Sequence, residues 1–187
     1  SFLIGVSAEI NTTATVQMKP NIKHRTRSVQ WFYTGTLGVG QNSLSDVFNS
    51  KKEVYTAAFS GGKIINKTFK IGGGLYYHFY EHYYDYIVNG ETLVKTQEPH
   101  FKDRPIINAS SWGVFGSAEL LLGHVGMEMN VGINFFKPFY KIDWQLNKGY
   151  TNFPNGIETI VAGKFNSYYK IKHRIFSRMG LKYYLFD

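Results

Sequence analysis

Six polar side chains of the kinds used in acid–base catalysis and metal binding fall on the polar face of neighbouring predicted strands. They are three histidines, two glutamates and one asparagine: His78, His82, Glu119, His124, Glu128 and Asn130. Such a set can orient a general base or hold a metal ion. Its spacing matches no metal motif, and small barrels fill their interiors with polar side chains. We therefore favour a hydrogen-bonded network inside a barrel and predict no metal site.

Nucleophilic chemistry has little support in the sequence. A catalytic serine needs a histidine beside it, and His173 and Ser177 lie on one face of a predicted strand but too far apart for contact. The chain has no cysteine, which excludes a thiol nucleophile, a thiolate zinc site, an iron–sulfur cluster and a disulfide framework. We predict no catalytic residue and no cofactor.

The elements that position these side chains follow a period of two. Apolar residues alternate with polar residues or glycine, which is typical of strands with two different faces. Seven strands are predicted, at about 1–18, 22–41, 53–61, 66–84, 110–122, 124–136 and 169–186. The tightest connection is a hairpin at Leu122-Gly123-His124. We predict no amphipathic helix.

Short and long connections alternate along the chain. Short turns are predicted at Lys19-Pro20-Asn21, Gly61-Gly62 and Gly123, and long loops at 42–52, 85–109 and 137–168. The short connections would gather at one end of the sheet, as in an outer-membrane barrel with short periplasmic turns. A soluble lipocalin-like barrel has the same alternation with its faces exchanged.

Aromatic residues and the C-terminus favour the membrane alternative. Seven of the eleven residues from Tyr76 to Tyr86 are aromatic, as in the interfacial girdles of membrane barrels. The segment from Arg178 to Phe186 resembles the terminal β-signal of outer-membrane proteins. The sequence thus predicts an all-β protein, an antiparallel transmembrane β-barrel of the bacterial outer membrane with a periplasmic C-terminus.

The number of strands is odd. Seven antiparallel strands make the first and last run parallel, whereas single-chain bacterial barrels have an even number. We therefore expect residues 1–187 to be one β-barrel domain forming the C-terminal part of a longer barrel.

The partners follow from the charge and the loops. A net charge of +8 and a pI near 9.5 are often associated with nucleic-acid binding. For an outer-membrane barrel we expect lipid and lipopolysaccharide phosphate instead, at Lys170, Lys172 and Arg174, with a solvated charge run as the alternative. The loops 85–109 and 137–168, which carry Trp144, Tyr150 and Phe153, are expected to contact other outer-membrane proteins.

Four motifs resemble a known family. They are Gly72-Gly73-Gly74-Leu75 with its aromatic tail, Leu122 to Gly126 running into Gly132-Ile133-Asn134, Lys137-Pro138-Phe139-Tyr140-Lys141, and Arg178 to Tyr183. Together they resemble the C-terminal strands of the lipid A deacylases, the PagL-like outer-membrane proteins often labelled acyloxyacyl hydrolases. Members of that family remove an ester-linked acyl chain from lipid A with the serine and histidine of a His-x-Ser motif and an acidic residue.

The His-x-Ser motif is absent here, because none of the six histidines is followed two residues later by serine. No catalytic residue is therefore carried over. Either the catalytic strands precede Ser1 or this member has lost the chemistry. Two hypotheses follow: a serine hydrolase acting on lipid A, and a non-catalytic structural barrel in an outer-membrane complex.

Overall fold

The computed structural model describes residues 2–12, 29–44, 51–152 and 159–185. These residues form a curled sheet with short helices at one end. The strands are β1 Phe2–Thr12, β2 Val29–Asn42, β3 Lys52–Ile65, β4 Phe69–Tyr80, β5 Ser110–Leu122, β6 Val125–Phe136, β7 Tyr150–Asn152, β8 Thr159–Val161 and β9 Ile175–Tyr183. The helices are α1 Glu81–Asn89, α2 Thr92–Gln97, α3 Pro105–Asn108, α4 Tyr140–Lys148 and α5 Ser167–Arg174, with a 3₁₀ helix at Pro99–Asp103.

The main sheet has seven strands in the order β1-β2-β3-β4-β5-β6-β9, and every neighbouring pair is antiparallel. A small separate hairpin is formed by β7 and β8. The all-antiparallel β prediction is confirmed at this level: the sheet curls into a half-barrel. None of the helices in the described ranges is long and apolar enough to cross a membrane.

The period-two alternation sorts side chains onto two faces of the sheet. Apolar side chains stand exposed on the convex face of all seven strands, for example Val6, Leu37, Phe59, Leu75 and Val131. The concave face carries polar and charged residues together with glycine. Strand residues alternate in direction, so this division comes directly from the sequence pattern.

Large aromatic residues mark both ends of the convex face. The upper aromatic row, near the helices, consists of Tyr55, Tyr77, Trp112 and Phe135, and the lower aromatic row, near the short turns, consists of Trp31, Tyr33, Phe69 and Tyr183. The convex positions between the rows are apolar, glycine or Ser177 on every described strand. Two charged residues of the described strands lie on the convex face beside a row. Lys63 Nζ lies 4.7 Å from the Trp31 ring centroid, and Glu53 accepts a hydrogen bond from the Tyr55 hydroxyl.

Several predicted boundaries are wrong. Residues 81–89 are helix α1 and not the end of a strand, residues 167–174 are helix α5, and α4 interrupts the loop 137–168. Strand β3 continues through Gly61 and Gly62 to Ile65, and the turn lies at Asn66 and Lys67, which both adopt positive φ. The predicted strand ends at 13–18 and 22–28 and the turn at Lys19-Pro20-Asn21 lie outside the described residues. The strands 110–122 and 124–136 and their hairpin at Gly123 are confirmed.

The hydrophobic core lies in the helical cap and not within the sheet. The Tyr83 and Phe139 rings stack with centroids 4.3 Å apart. Around them pack other fully buried side chains of the cap, which include Ile87, Val94, Ala109 and Ile142. Helix α1 begins directly after β4 and ends at Asn89, and the C-cap residue Gly90 has a φ of 62°, which favours glycine. Tyr83 and Tyr86, expected in an interfacial girdle, are instead buried in this core.

A carboxyl group is enclosed by the cap. Asp143 on α4 accepts a hydrogen bond from Tyr83 and another from Asn147 Nδ2 at 3.2 Å. Burial raises its pKa to about 6, although the nearby Lys137 ammonium and these hydrogen bonds act in the opposite direction. The folded state therefore holds a proton that the unfolded state releases, and stability falls as the pH rises from about 4 to about 6.

We predict that Asp143→Asn stabilises the protein at neutral pH and not at pH 4. The amide keeps an acceptor for Tyr83 but carries no charge to desolvate. The pKa difference of Asp143 between the folded and unfolded states corresponds to at most about 3 kcal/mol of stability at neutral pH. Thermal unfolding of both proteins between pH 4 and pH 8 measures it. A Tm difference that is independent of pH would contradict this role of Asp143.

Candidate functional site

A buried lysine organises the concave face near the short turns. Lys70 on β4 is 3% exposed and forms an ion pair with Glu9 of β1. Its Nζ also lies 3.8 Å from Glu119 of β5 and donates to the Tyr184 hydroxyl at 3.1 Å. The ammonium stands over the Phe32 ring, 4.6 Å from its centroid. One side chain thus joins β1, β4, β5 and the residue that follows β9.

The network continues along β9. Lys182 Nζ lies 2.8 Å from Glu128 and 3.4 Å from Glu119, and Arg178 lies 4.0 Å from Glu128. Glu9 also accepts from the Thr34 hydroxyl at 2.9 Å. The concave network defined here therefore pairs three cations, Lys70, Arg178 and Lys182, with three carboxylates, Glu9, Glu119 and Glu128. Its formal charge is balanced, which a buried set of charges requires.

Three of the six residues predicted as a lumen network lie in or beside it. Glu119 and Glu128 are register partners on β5 and β6, and Asn130 is buried on the same face. His78 is on the concave face as well, but it lies eight residues farther along β4 than Lys70, where its ring contacts Tyr76 and Tyr80.

The other two histidines lie elsewhere. The chain leaves the sheet at Tyr80, so His82 is on helix α1, and His124 is exposed in the β5–β6 turn with Nδ1 3.1 Å from the Tyr184 carbonyl oxygen. No group of three or more possible metal ligands occurs among the described residues.

Sequence reasoning missed the residues that hold the network together, Glu9, Lys70, Lys182 and Tyr184. The available signal was parity: Glu9, Lys70 and Lys182 occupy inward positions in strands whose alternate residues are apolar, and Tyr184 continues this alternation just after β9. What the sequence does not show is that Glu9 and Lys70, 61 positions apart, face the same point inside the curled sheet.

A small cavity lies between α1 and the start of β3. It has a volume of about 200 Å³ and is lined by Leu44, Lys52, His82, Asp85, Tyr86, Asn89 and Glu91. Lys52 donates to Asp85 at 2.6 Å, and neither ring nitrogen of His82 has a hydrogen-bond partner among the described residues. Burial lowers the pKa of His82 to about 4, so this imidazole is neutral at physiological pH.

Helix α5 presents cations at the cap end of the sheet. Asn166 caps the helix by accepting from the Tyr169 N–H at 2.9 Å, and the Asn134 amide holds its C-terminal turn by donating to the His173 carbonyl at 2.9 Å. Lys170, Lys172 and Arg174 are exposed, and no carboxylate of the described chain pairs with them. We call these three residues the α5 cations. They were predicted as a contact site, but on a strand.

Aromatic rings pack beneath α5. Tyr169 and His173 stack on Tyr140 with centroids 5.8 Å apart in each pair, and the buried Trp144 donates to the Lys164 carbonyl at 3.1 Å. Trp144, expected on a partner-facing loop, is therefore part of the cap interior. Phe153 and the Tyr150 side chain lie outside what the structure describes.

His173 packs in this aromatic stack while Ser177 points outward from β9, and the two make no hydrogen bond in the described structure.

Searches of known protein families, curated proteins and solved structures find no match to this chain. The geometry of the described residues gives a charge-balanced network on the concave face and an exposed basic helix beside the upper aromatic row.

We predict that Lys70→Met destabilises the protein by about 3 to 5 kcal/mol, because removing one partner leaves buried carboxylates without a cation. Lys63→Met is the matched control: Lys63 is exposed on the convex face, and loss of its contact with Trp31 costs about 1 kcal/mol or less. Unfolding in guanidinium chloride compares the two. Equal destabilisation would show that the network does not depend on Lys70.

Proposed function

We propose that this chain forms the wall of a β-barrel in the bacterial outer membrane and binds lipid A, the substrate implied by its resemblance to the lipid A deacylases. The observation that carries the proposal is the continuous apolar convex face between two aromatic rows. Monomeric soluble proteins rarely expose apolar patches above a few hundred Å². This face extends over seven strands.

The height of this face fits a bilayer. Phe69 and Tyr77 lie eight residues apart on β4. At about 3.3 Å per residue and a tilt of about 40°, they are separated by about 20 Å along the membrane normal, close to the roughly 25 Å apolar band of outer-membrane barrels. The aromatic rows then lie at the two interfaces, where Trp and Tyr are enriched.

The distribution of charge supports the same environment. Between the rows, every described Asp, Glu, Lys and Arg of the sheet points to the concave face, where it joins the concave network. A Lys or Arg facing lipid at the midplane costs about 2 to 4 kcal/mol. In a soluble barrel with a dry cavity the faces would be reversed, with apolar residues inside.

The α5 cations lie where lipid A phosphates would be. Helix α5 leads directly into β9 at Ile175, at the cap end of the apolar face. With short turns in the periplasm, this end is at the outer leaflet. Exposed Tyr168 and Ile171 accompany the cations, a combination suited to an interfacial helix that contacts anionic headgroups.

The described residues contain no serine hydrogen-bonded to a histidine, so the proposal assigns them lipid A binding. A second candidate, a non-catalytic structural barrel, is favoured by the balanced concave network, whose charged groups are paired with one another. Mass spectrometry of lipid A from cells with and without the protein separates a barrel that takes part in deacylation from a non-catalytic one. Loss of one acyl chain only when the protein is present supports deacylation, and unchanged lipid A supports the structural barrel.

We predict that Val131→Lys destabilises the protein folded into lipid vesicles by about 2 to 4 kcal/mol, because position 131 is near the middle of the apolar face. Val125→Lys is the matched control, on the same strand and face, with similar exposure (41% against 48%) but at the lower edge. Its expected cost is about 1 kcal/mol or less. Urea unfolding from vesicles measures both, and two neutral substitutions would contradict a lipid-facing wall.

We predict that replacing Lys170, Lys172 and Arg174 together by alanine weakens binding to lipopolysaccharide-containing vesicles by about 10- to 100-fold, since each surface cation contributes about 1 kcal/mol. Alanine at Lys95, Lys102 and Arg104 removes the same charge from another exposed part of the cap and serves as the control. Vesicle co-sedimentation at low and high salt measures the effect. Equal losses in both variants would show that only net charge matters.

A further inference from the structure

One face of helix α1 lines the cavity between α1 and the start of β3. His82, Asp85 and Tyr86 have the spacing of three and four residues that puts side chains on one side of an α-helix. The other walls include Leu44 after β2 and Lys52 at the start of β3. Side chains far apart in the sequence thus enclose one volume of about 200 Å³.

His82 is the polar group of this cavity that most needs a partner. It is 5% exposed, and neither ring nitrogen makes a hydrogen bond with a described residue, although buried polar groups are almost always hydrogen-bonded. The ring packs against the Tyr83 ring, with centroids 4.6 Å apart, so packing fixes the imidazole without using its nitrogens. Because the imidazole is neutral, it supplies one N–H donor and one acceptor nitrogen.

An ion pair lies on one wall of the cavity. Lys52 Nζ and Asp85 Oδ2 are 2.6 Å apart, so these two charges balance each other. The pKa of Lys52 is raised first by its hydrogen bond to Asp85 and further by the negative charge of Glu81. Two carboxylates therefore act on the single ammonium of this wall, which makes the wall a poor site for an anion.

Glu91 adds a further carboxylate at the turn after α1, where it also lines the cavity. No cation of the described residues forms an ion pair with it. Lys95 and Lys102 lie beside the same turn but do not line the cavity. Since Lys52 and Asp85 balance, Glu91 leaves the lining with one net negative charge. The cavity therefore favours a ligand with positive charge.

The ligand class follows from the volume and the remaining walls. About 200 Å³ is several times the roughly 30 Å³ that one water takes up in the liquid, so a small organic molecule fits. Leu44 and the Tyr86 ring offer apolar surface to its carbon atoms, and an aromatic face also attracts a cation. A metal ion is less suited, because the described residues contain no group of three or more possible metal ligands.

We propose that this cavity binds a small organic ammonium ion. The Glu91 carboxylate balances its charge, the His82 imidazole accepts one of its N–H groups, and Leu44 and Tyr86 contact its carbon atoms. The imidazole N–H donates in turn to a hydroxyl group of the same ligand. The site lies in the cap and shares no residue with the apolar convex face or the α5 cations, so it does not depend on the lipid A proposal.

The test is a titration of the full chain with ethanolamine at neutral pH, followed by NMR of the His82 ring and by calorimetry. We expect saturable shifts of the ring signals and, for a ligand this small, a Kd of about 1 mM. Ethylene glycol and acetate are matched probes of similar size, one neutral and one negative. Each is expected to bind at least about 10-fold more weakly than ethanolamine.

Two substitutions separate the roles of the lining residues. His82→Phe keeps a ring against Tyr83 but removes both nitrogens, and Glu91→Gln removes the unbalanced charge. Each is expected to weaken ethanolamine binding about 10-fold. Asp103→Asn is the control, because it removes one negative charge at an exposed position of the cap that does not line the cavity. Thermal unfolding verifies that each variant is folded.

Any of four results would overturn the inference. One is the absence of saturable shifts with ethanolamine up to about 100 mM, and another is binding of ethylene glycol or acetate as tight as that of ethanolamine. The third is tighter binding of Zn²⁺ or Mg²⁺ alone, which would indicate a metal site. The fourth is an equal loss in Glu91→Gln and Asp103→Asn, which would show that only net charge matters. None of these results bears on lipid A binding, which the α5 variants test.

Discussion

The buried ammonium of Lys70 is the interaction on which the curvature of the sheet depends. A cation this deeply enclosed needs compensating oxygens close by, and Glu9, Glu119 and the Tyr184 hydroxyl supply them from three other parts of the sheet. Glu9 and Tyr184 belong to opposite edges, so satisfying Lys70 brings those edges together. A flat sheet with the same strand order would leave Lys70 with its register partner Glu119 but without Glu9 and Tyr184.

The same requirement explains why the protein has two interiors of different character. The concave face holds paired charges, and Lys, Arg, Glu and Tyr side chains line it near the short turns instead of aliphatic ones. Apolar burial is found in the cap, where Tyr83, Ile87, Phe139 and Ile142 exclude water. The cap therefore supplies hydrophobic stabilisation in water, while no part of the described chain covers the apolar convex face.

How much of the fold can be predicted from the sequence depends on the length of each strand and helix. The alternation at β5 and β6 extends over many residues, so both strands and their hairpin at Gly123 follow from the sequence. Helix α1 has nine residues, and its aromatic residues continue those of β4, which hides the change from period two to period 3.6. Helix α5 buries none of its residues fully and so leaves no apolar stripe to detect.

Contacts between residues far apart in the sequence are harder to predict than the strands themselves, as the concave network shows. Parity alone puts Glu119, Glu128 and Lys182 on one face, but only the register of three strands reveals that they share hydrogen bonds. The α5 cations are the opposite case, since their position next to the final strand was visible in the sequence and only their helical conformation was not. The charges of the concave network are paired with one another, whereas the α5 cations have no carboxylate partner in the described chain. An external anion is therefore attracted more strongly to the α5 cations than to the concave network.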